Sequence, residues 1–460
     1  MLRLPSAANV SAESAQLDGT LSMLLPRSYY SNNQETKTSL KIEYNNQSED
    51  DFDTVKIDAL SPTLNITNLG SSSNANTGQT EYFASGKVYR NTDAYARYAD
   101  SVAAASTGYA LVRLADSAVS PYADLISALD FSSMSGSSIR KALHSVSAES
   151  YSAAAQASLR LLNAQDRKLF YRQWAAPVEE IYGTQLYGDV LYSAYDSDGA
   201  AWESDGYSAV IGADTKLTGA LTLGVNLTLN SLNTDIKGNN GAEAKAQSAL
   251  LGLRGLYRPH SDGFYLQGSI RAGMQYGDMD RIVSVNGYRA TMDSDWLSFI
   301  GSVQAAAGYD LLFTNDNSTL CTGPFAAAHY SLIRTPDIDE SGSTAINIDG
   351  TTYDSLPLEL GWRFKLQQKN TSNSSFMLFA DASYFYDVTY NKDHTTASFK
   401  YTKTPTFDSE LKRDGSYGIY LNLGAELELT SSFSAGLACG AETGSELTGF
   451  NISADFNYRF

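Results

Sequence analysis

The sequence predicts an all-β protein: a 12-stranded antiparallel transmembrane β-barrel over residues 187–460, preceded by a helical linker or plug and by a small β region. Three observations carry this prediction. Apolar and polar residues alternate with a period of two, long and short connections alternate between the apolar runs, and charged residues lie opposite the apolar side chains. Together these features favour strands with lipid on one side and a wet lumen on the other.

The alternation of apolar and polar residues is clearest at 219–232 and 416–429. In the first of these runs Leu221, Leu223 and Val225 alternate with threonine, glycine and asparagine. Successive side chains of a strand point to opposite faces, so each run has one apolar face. Twelve such runs occur, at 187–197, 206–216, 219–232, 245–257, 263–278, 290–312, 320–334, 353–369, 374–391, 416–429, 432–442 and 448–460.

The connections between the runs differ in length from one end of the predicted barrel to the other. Odd-numbered connections hold 8, 12, 11, 18, 24 and 5 residues, and even-numbered ones hold 2, 5, 7, 4 and 2. Transmembrane barrels have short periplasmic turns, longer external loops and an even number of strands. A soluble β-sandwich also alternates, but it does not need twelve runs of spanning length with its long loops on one side.

Charged residues lie on the polar face of the predicted strands. In a closed apolar core each would cost several kcal/mol, whereas a wet lumen would solvate them. A soluble sheet with one solvated face remains the alternative. The predicted lumen charges are Arg254, Arg271, Glu359, Arg363, Asp381, Glu426, Glu428 and Asp455.

Composition excludes several classes of protein. A formal net charge of −18 argues against nucleic-acid binding, because phosphates require a basic surface. No run of eighteen apolar residues occurs, so no spanning helix is predicted. Cys321 and Cys439 match no metal-ligand spacing, and we predict no cofactor or metal site. The first residues lack the apolar core of a signal peptide, so we expect a targeting segment upstream of Met1.

The chain before the barrel contains two regions that differ in residue composition. Residues 1–90 alternate short β-like runs with polar turns, which predicts a small β region. From 92 to about 174, alanine, leucine, serine and charged residues replace the β-branched ones, which favours helix. Ser147 and Glu149 open the last predicted helix, over 148–174, with the carboxylate placed against the helix dipole.

A 12-stranded barrel leaves room for one further segment. Its lumen is wider than side chains fill and narrower than an open channel, and the gap fits one helix of about 10 Å diameter. The predicted helix carries an apolar stripe of Leu159, Leu162, Leu169 and Phe170, which a wet lumen disfavours. We therefore expect the lumen segment to be the later part, around Pro177 to Leu186, with Glu179 and Glu180 facing the arginines.

Several stretches resemble the translocator region of the monomeric autotransporters of the type V secretion pathway. DGTLSMLLP, DFDTVKIDAL and FASGKVYRN are similar to the end of an autotransporter passenger, while YGDVLYSAYDSDG and FNISADFNYRF resemble the first and last barrel strands. Val146-Ser147-Ala148-Glu149 stands where the linker of that family has Leu-Ser-Gly-Glu. The resemblance divides the chain into a passenger end with autochaperone-like β-helical rungs (1–90), a helical linker (91–186) and the barrel (187–460).

The resemblance implies an outer-membrane translocator and anchor that secretes an N-terminal passenger to the surface of a Gram-negative cell. It implies as partners the outer-membrane lipid, the barrel-assembly machinery, periplasmic chaperones and the chain's own passenger. It also implies that this machinery reads the terminal strand, by pairing with its edge, at Phe456, Tyr458 and Phe460.

One alternative function is an outer-membrane barrel enzyme of the protease type. Asp393 and His394 are adjacent in the longest predicted loop, and Asp337, Asp339 and Glu340 lie in another, so an Asp/His site that activates water is possible at the rim. Solvated loop residues are the commoner explanation. The sequence contains no G-x-S-x-G, H-E-x-x-H or P-loop motif, and we predict that the barrel is not an enzyme.

The other alternative is a plain channel or porin. An open porin would conduct on its own, whereas a plugged translocator would conduct only after removal of residues 91–186. Self-cleavage inside the barrel, which occurs beside an asparagine in some autotransporters, is not expected at Asn163, because LLNAQD lacks the paired asparagine of that subtype.

Overall fold

The computed structural model describes residues 2–5, 9–47, 51–117, 120–175, 183–237, 241–371, 374–389, 393–402, 404–430 and 432–460. The N-terminal strands are β1 (Leu2–Pro5), β2 (Asn9–Ala15), β3 (Thr20–Leu24), β4 (Gln34–Gln47), β5 (Thr54–Asp58), β6 (Leu64–Asn76) and β7 (Gln79–Arg90). The helices are α1 (Val102–Asp116), α2 (Ala123–Asp130), α3 (Ser137–Val146) and α4 (Glu149–Ala175). The strands that follow are β8 (Thr184–Ser197), β9 (Trp202–Lys216), β10 (Leu221–Ile236), β11 (Ala242–Tyr257), β12 (Gly263–Val285), β13 (Tyr288–Thr314), β14 (Ser318–Arg334), β15 (Ile338–Asp339), β16 (Ile346–Ile348), β17 (Thr352–Ser355), β18 (Pro357–Thr371), β19 (Ser374–Asp387), β20 (Asp393–Phe399), β21 (Thr406–Leu411), β22 (Tyr417–Glu428), β23 (Phe433–Gly444) and β24 (Leu447–Arg459).

The N-terminal strands form two small sheets, and both contain parallel strand pairs. Strands β1, β3 and β5 pair in parallel, and so do β2 and β4, while β7 pairs antiparallel with β4 and β6. Leu21, Met23, Leu40 and Tyr82 are fully buried in the shared apolar core. This part of the chain therefore has an apolar core of its own, to which Phe131 also contributes.

Two of the four helices begin after residues that favour a helix start. Helix α1 begins after Ser101, whose hydroxyl accepts a hydrogen bond from the Ala104 amide at 3.0 Å. Helix α3 begins after Gly136, whose φ of 71° favours glycine and whose hydrogen faces the Tyr98 ring. Helix α4 has 27 residues. None of the helices in the described ranges is both long and apolar enough to cross a membrane.

Twelve antiparallel strands close into a barrel, which confirms the predicted fold class. Strands β8 to β14 follow one another around the ring, then β18, β19, β22, β23 and β24. Strand β24 pairs with β8, with Asn451 opposite Ser193, and closes the ring. Closure leaves no unpaired edge, which is what a sheet surrounded by lipid requires.

The outer surface of the barrel is apolar along the middle of the strands. On β10, Leu223, Val225 and Leu227 are exposed, whereas Asn226 and Thr228 are buried inside. Exposed aromatic residues collect near both ends, where an apolar ring with a polar tip suits the membrane interface. Near the end where β8 begins they are Tyr257, Phe264, Tyr309, Phe313, Phe456, Tyr458 and Phe460, and near the other end they are Tyr207, Tyr276, Phe299, Tyr384, Tyr386, Tyr417 and Phe450.

The connections differ from the prediction at one end of the barrel. The predicted 11-residue loop at 279–289 is wrong, because β12 and β13 continue past the barrel wall and meet at the two-residue turn Asn286–Gly287. Both turn residues have positive φ, 46° and 86°, as a tight hairpin turn requires. The connections 335–356 and 388–416 are long, and they contain β15, β16, β20 and β21, which pair into a separate sheet. We call this end of the barrel, with that sheet and the β12–β13 extension, the mouth.

Candidate functional site

The barrel lumen is filled by helix α4. Every one of its 27 residues is buried. At about 1.5 Å per residue the helix is about 40 Å long, which is enough to pass through the whole barrel. Its polar and apolar side chains contact strands on all sides of the ring, so the lumen is the part of the molecule whose geometry bears on function.

Cationic residues of α4 lie against carboxylates of the barrel wall. Arg167 Nη1 lies 2.6 Å from Glu442 Oε2, and Arg167 Nε lies 2.5 Å from Glu359 Oε1. The next residue is Lys168, and its Nζ lies 3.1 Å from Asp455 Oδ2 and 3.5 Å from an oxygen of Asp189. These pairs join the helix to β8, β18, β23 and β24 at once.

On another side of the helix, α4 supplies the carboxylate and the barrel wall supplies the cation. Asp166 forms an ion pair with Arg271 of β12, and neither side chain is exposed. Arg271 also donates to Gln165 Oε1 at 3.1 Å and to the Leu162 carbonyl at 3.2 Å. Adjacent residues of a helix diverge by about 100°, so Asp166 and Arg167 hold the helix from two directions. The pattern fixes the rotation of the helix as well as its depth.

The apolar stripe of α4 lies in the lumen, so our expectation of a wet lumen that excludes it is wrong. Leu159 and Leu162 pack on Leu250, Ile300 and Ile333 of the barrel wall. Phe170 packs on Phe325, and Leu169 on Val210. These wall residues point inward, so one sector of the lumen is apolar and matches the stripe.

The expectation that the lumen segment lies around Pro177 to Leu186, with Glu179 and Glu180 facing the arginines, falls largely outside the described residues. Residues 176–182, which include both glutamates, lie outside the described residues. Thr184 and Leu186 belong to β8. Among the described residues, 149–175 occupy the lumen, and ion pairs and a matching apolar wall compensate the burial of this segment.

The eight predicted lumen charges lie on inward rows of the barrel strands. Four of them bond α4 or its backbone: Arg271 and Glu359 as above, Asp455 through Lys168, and Arg254, which donates to the Leu169 carbonyl at 3.4 Å and pairs with Asp214. The other four have polar partners on the wall: Arg363 with Gln267, Asp381 with Asn422, Glu426 with Ser434 and Asn457, and Glu428 with Arg459.

Sequence reasoning missed the charges of the helix itself and several of their partners. On the helix they are Arg160, Asp166, Arg167, Lys168 and Arg172. On the wall, Asp189, Asp214 and Glu442 were passed over, although each lies on the polar face of its run. An excess of cations on a helix directly before acidic inward rows was the available signal.

Ser147 and Glu149 lie at the junction of α3 and α4. The Ser147 hydroxyl donates to Glu149 Oε2 at 3.1 Å, and α4 begins at Glu149. His144 Nδ1 lies 2.8 Å from the same Oε2, and its Nε2 lies 2.6 Å from Asp100 Oδ1. The hydrogen bond to the Glu149 carboxylate raises the pKa of His144 to about 9, and Asp100 acts in the same direction.

The terminal strand presents its aromatic residues on the outside of the barrel. Phe456, Tyr458 and Phe460 are 51%, 44% and 73% exposed. Phe456 lies over Gly188 of β8, where a Cβ would meet its ring, and the Tyr458 and Phe460 rings are 5.0 Å apart. The three rings therefore stand at the seam where the barrel closes.

The candidate rim site for hydrolysis is not assembled. Asp393 points inward, where it pairs with Arg413 at 2.5 Å and accepts from Gln156, while His394 points outward and is 69% exposed. Glu340 is buried against Arg281, away from the exposed Asp337 and Asp339. Asn163 accepts a hydrogen bond from Ser331 at 2.8 Å. Within the described ranges no group of three or more potential ligands could hold a metal ion.

Fold and lumen together define a membrane barrel closed by a helix of its own chain. The family described as "Autotransporter beta-domain" matches residues 184–440, and the chain belongs to it. The protein is thus an outer-membrane translocator that secretes a passenger to the cell surface, and its family is a secretion barrel.

Three solved structures are similar to this chain to different degrees. The translocator domain of autotransporter NalP from Neisseria meningitidis has 16% identity and a TM-score of 0.52 over 68% of this chain and 100% of its own. The beta domain of the Bordetella autotransporter BrkA has 14% identity and a TM-score of 0.42 over 60% and 98%. The transport unit of AIDA-I from Escherichia coli has 11% identity and a TM-score of 0.43 over 61% and 92%. A comparison with curated proteins found no sequence match.

Proposed function

We propose that the chain secretes a passenger that includes residues 1–90, and that α4 stays in the lumen as a plug and tether once the passenger is outside. The observation that carries this proposal is the complete burial of α4 between charges of both signs. A helix held in this way closes the pore to water and ions. In this arrangement the N-terminal part lies beyond the mouth, because α4 enters the lumen at the mouth and leaves the lumen close to the start of β8.

The experiment is to express the chain behind a signal peptide, with an epitope tag before Leu2, in a Gram-negative host. We expect antibody to label the tag on intact cells and the purified protein to conduct poorly in a planar bilayer. A tag that becomes accessible only after the outer membrane is opened would contradict secretion. High steady conductance of the intact chain would contradict the plug and favour a channel.

Residues 1–90 fit the C-terminal end of a passenger. Their parallel strand pairs and apolar core support stacked rungs that fold as one unit. Arg90 of β7 forms a fully buried ion pair with Asp130 at the end of α2, and Tyr95 donates to the same carboxylate at 2.8 Å. Such a unit gives the emerging chain a stable fold next to the mouth and favours outward movement of what precedes it.

We further propose that the barrel-assembly machinery and periplasmic chaperones handle the unfolded barrel before it inserts. The outward rings of Phe456, Tyr458 and Phe460 support recognition through the terminal strand, since they stay accessible while its edge is unpaired. We expect no catalytic activity in the barrel, because Asp393 and His394 point to opposite sides of β20.

A further inference from the structure

The largest buried apolar cluster of the molecule lies at the mouth, where helices of the linker pack on loops of the barrel. Ile139, Leu143 and Val146 of α3 share this cluster with Val283 and Met292 of the β12–β13 extension. The sheet of β15, β16, β20 and β21 adds further buried residues, including Ile338, Ile346, Phe399 and Phe407. The loops therefore present an apolar surface, and the linker helices cover this surface.

One ion pair sits at the centre of this interface. Arg281 of β12 and Glu340, which follows β15, are both fully buried. The Glu340 carboxylate accepts hydrogen bonds from Arg281 Nε at 2.7 Å, from the Ile346 amide at 2.8 Å and from the Tyr151 hydroxyl at 2.8 Å. Tyr151 belongs to the first turn of α4, so the barrel supplies two of these donors and the linker supplies the third.

The linker also supplies a hydrogen-bond acceptor to Arg281. Arg281 Nη1 donates to the carbonyl of Ser145 in the last turn of α3, where carbonyls have no partner within the helix. Tyr151 also packs on Trp296, with ring centroids 5.5 Å apart, and lies 2.7 Å from the Ser294 hydroxyl. In the docked state the linker thus supplies one partner to the buried guanidinium and one to the buried carboxylate, and the loss of a hydrogen bond to a buried charged group is costly.

We propose that the mouth is a receptor for the chain's own linker, and that Arg281 and Glu340 are positioning residues that recognise the junction of α3 and α4. This inference rests on the proposed secretion of the N-terminal part, since the linker meets the mouth only from outside. Docking then holds the junction against the loops and prevents α4 from sliding back.

Backbone contacts around the pair fit recognition of one register of the linker. The Ala148 amide donates to Ser409 Oγ at 2.9 Å, and the Tyr122 hydroxyl donates to the Ala345 carbonyl at 3.0 Å. Asn286, in the tight turn of the β12–β13 extension, donates to the Phe131 carbonyl at 2.6 Å. A shift of the linker by one residue would break all of these bonds together.

The test is a double-mutant cycle in the full chain on intact cells. Y151F removes only the linker's hydroxyl, and E340Q removes the charge on the loop. The rate measured is trypsin cleavage after Arg140 or Lys141, whose side chains are exposed on α3 and whose backbone is protected by docking. The controls are Y109F, an exposed tyrosine on α1, and K412M, which removes an exposed ion pair with Glu446 at the mouth.

We expect Y151F to raise the cleavage rate about tenfold, the size expected for one lost buried hydrogen bond to a charged group. We expect E340Q to raise the rate by more than that, because this change also leaves the buried Arg281 without its counter-charge. The double variant should exceed the faster single variant by less than threefold, because both changes remove the same contact. The controls should stay within twofold of the unchanged chain.

Equal rates in all variants would overturn the receptor. Fully multiplicative effects would overturn it as well, since Glu340 would then act on the loops alone. Surface labelling of the N-terminal tag is recorded in every variant. Its absence in the unchanged chain would be a failure of the proposed secretion, whereas normal labelling with unchanged cleavage rates would be a failure of this inference only.

Discussion

Asp166 and Arg271 form a buried pair in which each charge depends on the other. Removing one partner of such a pair leaves an uncompensated charge and costs about 3 to 5 kcal/mol. We predict that Asp166→Ala lowers the midpoint of heat unfolding, followed as the gel shift between unheated and boiled protein, and raises conductance in a bilayer. Asp316→Ala, in the exposed turn 315–317, is the matched control. Identical midpoints for the two variants would show that the pair does not hold α4.

His144 gives the junction a dependence on pH. Its pKa is raised to about 9 by the hydrogen bond to Glu149, with Asp100 adding to the effect, against a usual value of 6.5. A raised pKa stabilises the folded state fully below about pH 6.5, and this contribution is lost as the pH rises through about 9. We predict that protection of α3 from trypsin declines from pH 6.5 to 9 after correction for the enzyme's own pH profile. His144→Asn should flatten that decline, and an equal slope in the variant would contradict the assignment.

A substitution at Phe460 distinguishes recognition of the terminal strand by assembly machinery from simple packing at the membrane interface. If the ring only packs at the membrane interface, its loss costs at most about 1.5 to 3 kcal/mol, and the barrel still assembles in cells. If assembly machinery reads it, Phe460→Ala should sharply lower assembly in cells while refolding in detergent stays near normal. Leu429→Ala removes an exposed apolar side chain from the strand end after β22 and serves as the control. Normal surface levels of the Phe460 variant would refute the signal role.

At the scale of elements, alternation located the barrel strands because each has lipid on one side. The alternation did not predict which segment fills the lumen. Leu250, Ile300 and Ile333 lie on inward rows and break the polar-inside rule, and only the closed ring brings them together beneath α4. The β12–β13 extension was also missed, although Asn286–Gly287 between alternating runs is a strong hairpin signal.

The orientation of the elements predicts which connections face outward. A peptide tag inserted after Gly350, in the exposed turn before β17, should be labelled by antibody on intact cells. A tag inserted after Ser261, in the turn between β11 and β12, should be labelled only after the outer membrane is opened. The reverse pattern would mean that the mouth faces the periplasm.

At the scale of the whole molecule, three features together close the barrel. Strand β24 closes the ring, α4 fills the ring, and the linker helices cover the mouth. The first could be predicted from the sequence because ring closure follows from strand number and the demand for paired edges. The other two depend on which inward residues face which linker residues, and a single sequence does not determine that register.

The central claim is that α4 occupies the lumen of the assembled barrel while the N-terminal part is outside. The most direct measurement places a photo-crosslinking amino acid at Gln165, whose side chain bonds Asn230 of β10, and maps cross-linked peptides from cells whose surface tag is labelled. The account predicts cross-links from α4 to peptides of β10, of its neighbours β9 and β11, and of β12, whose Arg271 also bonds Gln165. Cross-links to other proteins, or none to the barrel wall while the tag is displayed, would contradict it.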